Sequence, residues 1–430
     1  MGLVVQKFGG SSVATNDRIR SAAKRAVQVK LAGNDVVVVV SARGQTTDEL
    51  YELAYEITSS PSKRELDMLV STGEQVSIAL MAMAIQALGH KAVSFVASQI
   101  NLLTDSFHTK ATIRSIDQKK IRQALSDGHI VVVAGFQGVD SFGNITTLGR
   151  GGSDTTAVAI AAVLGADLCE IYTDVDGVYT ADPRIVPDAR KIDRISYDEM
   201  LELASLGAGV LHGRSVEFAK KFDVPLVVRS SFSNDPGTVV TKEVRAMEDV
   251  VVRGAAVAQD EAKITLRGVP DRPGIAARIL RAVAAKNINV DMIVQNASAD
   301  GLADFSFTVP KTDLEEALAL TATLKDEIGL KEVESNSRIS KLSVVGVGMR
   351  SHAGVAERMF SALAAEKINI QMISTSEIKI SCVIDEASGR RALAAVHRAF
   401  GLGKHSKVRR GSSKKSRESR VESREWKKKT

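Results

Sequence analysis

Residues 274–293 read GIAARILRAVAAKNINVDMI and residues 354–373 read GVAERMFSALAAEKINIQMI, so an offset of 80 lays one over the other without a gap. A match of that length is one supersecondary unit used twice. Each copy is preceded by a β-branched run (ITLRGV, LSVVGV) and a Gly loop, carries an amphipathic helix, and enters a second strand through Asn289 or Asn369. DFSFTV and LEEALALTATLK follow the first copy, EIKISCVI and GRRALAAVHRAF the second. That order predicts βαββαβ in both, over residues 263–338 and 339–403.

Upstream, Pro236 and Gly237 and the string VVTKEVRAMEDV mark a change of pattern, so residues 241–262 are expected to be a linker or strand leading into the regulatory repeats from a domain over residues 1–240. Within that domain Leu3 to Phe8, Asp35 to Val40, Ile130 to Ala134 and Ile171 to Thr173 read as buried strands. Between them Asp17 to Leu31, Leu66 to Leu88 and Asp154 to Leu164 read as helices. Such alternation implies an α/β fold, a mostly parallel sheet between helical layers.

The 430 residues suffice for two or three domains, and 44% hydrophobic content excludes a wholly disordered chain. The net charge of +6 suggests nucleic acid until it is divided along the chain. Residues 404–430 hold 12 Lys or Arg against 3 Asp or Glu, which leaves the remainder slightly acidic. The basic balance belongs to a tail without apolar periodicity, expected to be disordered, and nucleic-acid binding is not expected. Cys169 and Cys382 stand far apart with no Cys/His cluster, so neither a disulfide framework nor a protein metal site is expected. The start has no signal-peptide pattern and Val76 to Leu88 is too short to span a bilayer, so a cytoplasmic protein without membrane contact is expected.

Several loops could carry chemistry. Lys7, Phe8, Gly9, Gly10, Ser11 and Ser12 close the first strand, where glycines permit close backbone approach and a lysine supplies charge, although an ordinary tight turn explains them equally well. LGRGGSDTT, from Leu148, opens a helix; its N-terminal amides with Arg150, Gly151, Gly152 and Ser153 form an anion cradle, and Asp154 could alternatively act as the helix cap. TDVDGVYTADPR places Thr173, Asp174, Tyr179, Asp182, Pro183 and Arg184 after a buried strand, with Asp176-Gly177 also readable as a hairpin turn. SARGQTTDE (Ser41, Thr47) and STGEQVS (Glu74) lie at the end of the second strand and beside the start of a long helix.

Taken in order and followed by paired βαββαβ units, KFGGSS, SARGQTTDE, STGE, GRGGSDTTA and YTDVDGVYTADPR resemble the monofunctional aspartate kinases. The resemblance implies an amino acid kinase domain and two ferredoxin-like ACT domains. It implies transfer of the γ-phosphoryl group of MgATP to the β-carboxylate of L-aspartate, giving 4-phospho-L-aspartate, the entry to lysine, threonine and methionine. Lys7, Arg150 and Asp154 would be catalytic: Lys7 on the transferring phosphoryl group, Arg150 on the aspartate α-carboxylate, Asp154 steering Lys7. Lys7, Phe8, Gly9, Gly10 and Ser11 would hold ATP with Thr173, Asp174, Tyr179, Asp182, Pro183 and Arg184. Ser41, Thr47, Glu74, Gly151, Gly152 and Ser153 would complete the aspartate site with Arg150, Glu74 taking the ammonium.

The resemblance also implies feedback inhibition by lysine and/or threonine. In the first repeat Asp271, Gly274, Ile275, Ala276, Asn289, Val290, Asp291, Gln295 and Asn296 would hold the effector, closed by Asn369 and Ile370 of the second. Homo-oligomers through the ACT domains are expected, with a shorter ACT-only subunit starting near Met247 as an option. Two positions depart from the family pattern: Gly209 stands for a nucleotide-contacting lysine and Gly213 for a proline, which predicts weakened ATP binding or a shifted helix. A catalytically weakened amino-acid sensor of the same family is therefore the alternative reading.

Overall fold

A computed structural model describes residues 2–206, 210–242, 252–286, 288–297, 300–347, 349 and 354–404. Gly209, Met247 and the tail from residue 405 lie outside the described residues.

The first domain carries strands β1 (Leu3–Phe8), β2 (Asp35–Val40), β3 (Ala92–Phe95), β4 (Leu103–Thr104), β5 (Ile113–Ser115), β6 (Ile130–Ala134), β7 (Gln137–Val139), β8 (Ile145–Thr147), β9 (Leu168–Thr173), β10 (Arg194–Ser196), β11 (Leu226–Ser230) and β12 (Thr238–Thr241). Its helices are α1 (Asn16–Leu31), α2 (Thr46–Ile57), α3 (Lys63–Val70), α4 (Thr72–Gln86), α5 (Lys119–Ser126), α6 (Gly152–Leu164), α7 (Tyr197–Ser205) and α8 (Gly213–Phe222). Eight strands form one sheet in the order β10-β12-β11-β9-β1-β2-β6-β3, in which only the β11–β12 pairing is antiparallel.

Runs of valine suit the middle of such a sheet because both of its faces are covered. Alternation along β2 sends Val36, Val38 and Val40 into a core shared with α1 and α4, and Val37 and Val39 into another shared with α6. Residues 63–86 are long and apolar enough by length and composition to cross a membrane. Half of that stretch is buried, and Ile78, Met81 and Ile85 pack in the α1 core, so it serves here as core helix. The expected single helix 66–88 is two, α3 and α4, meeting at Ser71.

The regulatory half carries β13 (Gly254–Ala258), β14 (Glu261–Pro270), β15 (Ile293–Ala297), β16 (Leu302–Pro310), β17 (Glu332–Asn336), β18 (Ile339–Val345), β19 (Met372–Thr375) and β20 (Lys379–Asp385). Its helices are α9 (Ile275–Ala285), α10 (Leu314–Ile328), α11 (Val355–Ala365) and α12 (Gly389–Ala399). The first repeat is the expected βαββαβ unit, with sheet order β15-β16-β14-β17. The second corrects the expectation. Its sheet is β13-β18-β20-β19, so residues 339–403 do not supply all of its strands: the strand antiparallel to β18 comes from the linker or strand segment 241–262, and the first unit is inserted within the second. The repeats meet through matching loops: Asp291 pairs with Lys341, and Gln371, the same repeat position, accepts from Lys263 Nζ at 3.2 Å.

Candidate active site

β1 ends in the middle of the sheet, and the alternation that buries Phe8 toward α1 turns Lys7 toward α6. Lys7 is 9% exposed, and its Nζ lies 2.5 Å from Oδ1 of Asp154 in the first turn of α6. No side chain caps α6, which removes the capping reading of Asp154. Gly151 opens the helix with φ 69°, and a Cβ there would fall 2.2 Å from that of His212. A Cβ on Gly152 would sit 2.9 Å from the Phe136 ring, so this tight loop admits no larger residue.

Lys7, Ser41, Thr47, Glu74, Arg150, Gly151, Gly152, Ser153 and Asp154 all line one open cleft of about 220 Å³. Every residue assigned to catalysis or to aspartate is in it, and Phe136 and Gly149, which sequence reasoning missed, complete the wall. Glu74, in the first turn of α4, is 2% exposed. Its Oε1 accepts from the Ala42 N–H at 2.9 Å, while its buried Oε2 has no partner among the described residues. Burial pushes this carboxyl up to about 7, against the Ala42 amide that favours its ionised form. Arg150 is exposed at the cleft and makes no ion pair among the described residues. A carboxylate with an empty oxygen and an unpaired guanidinium are what the two ends of a zwitterion require.

The loop carrying Arg150 is fixed from outside the cleft. Asp67 of α3, fully buried, accepts from the Thr109 N–H at 3.0 Å and the Thr147 hydroxyl at 2.6 Å and contacts His108 Nδ1 at 2.7 Å. Arg214 donates to the carbonyls of Leu148 at 2.9 Å and Ala111 at 2.7 Å. Neither residue stood out in the sequence, since each partner is an ordinary residue 40 or more positions away.

The residues assigned to ATP divide. Gly9 and Gly10 stand beside the end of β1: a Cβ on Gly9 would come 3.4 Å from Lys7 Nζ, and one on Gly10 would come 3.0 Å from the Ala42 carbonyl. Ser11 accepts from Arg18 through its carbonyl. The assignment of Phe8 is corrected: its ring is fully buried, stacked on Tyr172 with centroids 4.8 Å apart, because alternation directs it away from Lys7. Thr173 ends β9, and Asp174, Tyr179, Asp182, Pro183 and Arg184 follow it in an irregular segment. Thr173 donates to Asp174, Tyr179 donates to Asp176 at 2.8 Å, and Arg184 grips both oxygens of Asp182. Asp176-Gly177 does not make a hairpin; Gly177 is required because a Cβ would meet the Thr238 hydroxyl at 2.6 Å.

The residues assigned to the effector lie in the loop before α9 and its first turn, in the loop before the edge strand β15 and on that strand, with Asn369 and Ile370 in the corresponding loop before β19. Gly274 takes the left-handed conformation before α9 with φ 93°, Ile275 and Ala276 are half-buried in its first turn, and the Asp271 N–H donates to the Gly301 carbonyl at 2.9 Å. Asn289, Gln295, Asn296 and Asn369 are exposed, with Val290 and Ile370 half-buried. Asp291 departs from its expected role: it is bound to Lys341, which Glu261 also pairs and which is buried between the repeats. The comparison loop of the second repeat, residues 351–353, lies outside the described residues.

Residues 2–230 match the model of the amino acid kinase family, and residues 264–329 and 342–400 match two ACT domain models. The chain is 56% identical over 403 residues to an aspartate kinase of Pseudomonas putida, covering 94% of this chain and 98% of that one. It is 53% identical over 402 residues to an aspartokinase of Geobacillus stearothermophilus, with the same coverage. Among solved structures it is similar to Escherichia coli aspartokinase III in complex with aspartate and ADP (R-state), at TM-score 0.80 and 26% identity over 92% of this chain and 99% of that one. The same enzyme with lysine and aspartate (T-state) gives TM-score 0.70 at 26% identity, over 93% and 99%. With its Lys7 cleft, its sheet and its interleaved regulatory units, the chain belongs to the aspartate kinase family.

Proposed function

We propose that this protein transfers the γ-phosphoryl group of MgATP to the β-carboxylate of L-aspartate. The observation that carries this is the cleft in which Lys7, Asp154, Glu74 and Arg150 converge. An acceptor carboxylate of pKa near 4 is ionised at neutral pH, so the reaction requires no general base. Asp154, held by Lys7, is then an orienting group. The barrier is the approach of two anions, and a cation at the strand end beside glycine amides lowers it by stabilising charge in the transferring group. Arg150 would take the α-carboxylate, Glu74 the ammonium, and Thr47 and Ser153 would set orientation, leaving the β-carboxylate directed at Lys7. Among the described residues no group of three His, Cys, Asp or Glu could hold a metal. Mg²⁺ would ride on the nucleotide phosphates, where it neutralises charge.

Lysine or threonine would act through the first ACT unit by binding one arrangement of the domains better than another. The lysine complex of the Escherichia coli enzyme supports the class of ligand. Exposed Ile293 on β15 and its repeat partner Ile373 on β19, each 44% exposed, offer apolar strand edges for ACT-mediated homo-oligomers.

Hydroxylamine trapping with ATP and aspartate tests the reaction. Aspartyl hydroxamate should form, and less of it with lysine plus threonine present. Hydroxamate formed from glutamate or acetylglutamate but not from aspartate would overturn the acceptor assignment.

A further inference from the structure

The segment holding Tyr179, Asp182 and Arg184 belongs to the first domain by sequence, yet it is built into the second ACT unit. Ala181, Val186 and Ala189 share an apolar cluster with Leu342, Leu393 and Val396. Thr180, fully buried, sits at the centre of the junction. Its carbonyl accepts from the Ala255 N–H at 2.8 Å, and its own N–H donates to the Arg190 carbonyl at 2.9 Å. Its hydroxyl meets three groups: the Arg190 N–H at 3.0 Å, the Leu402 carbonyl at 3.1 Å and Nε2 of His397 at 3.0 Å.

A hydroxyl has one proton to give. The Arg190 amide can only donate and the Leu402 carbonyl can only accept, so the proton of Thr180 goes to Leu402. His397 must then donate through Nε2–H, and its Nδ1 lies 4.0 Å from Asp188. His397 is 1% exposed and lies in the last turn of α12, more than 200 residues from the threonine it holds. The backbone of Asp188 is tied to the same region through the Lys404 N–H at 2.9 Å.

We infer that His397 is a positioning residue for nucleotide binding: through Thr180 it fixes the segment that presents Tyr179 on one side and the Asp182–Arg184 pair on the other, so ATP affinity depends on a side chain of the second ACT unit. The inference rests on the reading of residues 173–184 as the nucleotide segment. Tyr179 directly precedes Thr180 and Asp182 follows it by two, so a displaced Thr180 moves both. The Lys7 cleft shares no residue with this junction, which confines the effect to one substrate.

Steady-state kinetics of the full-length chain test this. His397→Ala should raise the KM for ATP about tenfold, the loss of one buried hydrogen bond, with kcat and the aspartate KM within about twofold. His397→Gln, which keeps an N–H donor of similar reach, should recover most of the loss. Thr180→Val should reproduce it, and the double variant His397→Ala/Thr180→Val should be no worse than either alone. If His397→Ala does not fold, the Gln variant and Thr180→Val still decide: an unchanged ATP KM in Thr180→Val overturns the inference. It is also overturned if His397→Ala shifts both KM values and kcat alike with Gln no better than Ala, which is the mark of general destabilisation. Arg184→Ala, measured alongside, separates the two claims. A raised ATP KM there with none in His397→Ala sinks the positioning role alone, whereas no change in either sinks the nucleotide segment and the inference with it.

Discussion

The cleft at Lys7 and the segment 173–184 handle charge in opposite ways. In the cleft, Glu74 keeps a buried oxygen without a partner and Arg150 stands unpaired among the described residues. Along the segment the charges are already spent on one another: Asp182 on Arg184, Asp176 on Tyr179. The first region stores electrostatic cost that a zwitterionic ligand relieves, and the second stores order, supplied by Thr180 and its partners in another domain. Variants in the first should therefore change chemistry and pH response, whereas variants in the second change affinity through placement.

The largest effect belongs to Lys7. Lys7→Met should lower kcat by about 10²–10³-fold, the scale for one charge-stabilising group. It also strands Asp154, and breaking a largely buried pair costs about 3 kcal/mol. Adding Asp154→Asn should restore the melting temperature and leave kcat low. If the double variant regains activity, Lys7 acts only as a counter-ion for Asp154.

Glu74→Gln comes next, with a sign that sharpens the contrast. A carboxyl whose pKa rises from 4.5 unfolded to about 7 folded costs nothing below pH 4.5, and its penalty grows as pH rises to 7. The glutamine variant should thus be more stable than the parent at pH 8, by about 3 kcal/mol, with the advantage vanishing toward pH 4.5. Its aspartate KM should rise about 30-fold, the loss of a hydrogen bond to a charged group. In the parent the aspartate KM should rise as pH falls below 7, because protonated Glu74 cannot pair with ammonium, and Glu74→Gln should flatten that profile. Chemical denaturation at pH 8 and 5 with KM measurements between pH 6 and 8 covers both. A variant less stable than the parent at pH 8 would remove the stored cost from the account.

Asp67 extends the comparison one layer outward, since it holds the Arg150 loop as Thr180 holds the segment 173–184. Asp67→Asn turns an acceptor of several bonds into a group that must also donate, which costs about 2 kcal/mol of stability. The aspartate KM should rise about tenfold with the ATP KM little changed. An equal rise in both would mean the two regions are not independently supported.

How far these regions were legible follows the same division. Lys7, Glu74, Arg150 and Ser153 stand at strand ends or helix starts, and a parallel sheet gathers such positions at one edge, so local motifs sufficed to place them in one cleft. Alternation could also have removed Phe8 from the ATP group, because neighbouring residues of a strand face opposite ways. Asp67, Arg214 and His397 were not legible. Their partners are backbone groups or hydroxyls brought close only by folding, and an aspartate, arginine or histidine on an amphipathic helix is indistinguishable from a surface residue. A strand within 241–262 was open to sequence reading, but its place in the second unit was not: GAAVA is short and alanine-rich, with little strand propensity, and it becomes a strand through pairing with β18. Asp291 was assigned to the effector because its partner Lys341 lies in the other repeat.

The smallest expected effect concerns Gly209 and Gly213, where the resemblance to the family implies lysine and proline. Gly213 is the first residue of α8, and His212 before it has φ −86° and ψ 135°, the extended geometry that a following proline demands. A Cβ at Gly213 would meet only Leu201, at 3.9 Å. The first helical position needs no N–H donor, so the helix start is already shaped for the absent proline. Gly213→Pro should raise stability by about 0.4–1 kcal/mol, through the unfolded chain, and leave both KM values within about twofold. Gly209→Lys should instead lower the ATP KM severalfold with stability unchanged, since the resemblance implies a nucleotide-contacting lysine at that position. An ATP KM that responds to Gly213→Pro and ignores Gly209→Lys would show that placement rather than charge limits nucleotide binding throughout this region, and would bring the start of α8 under the same rule as Thr180.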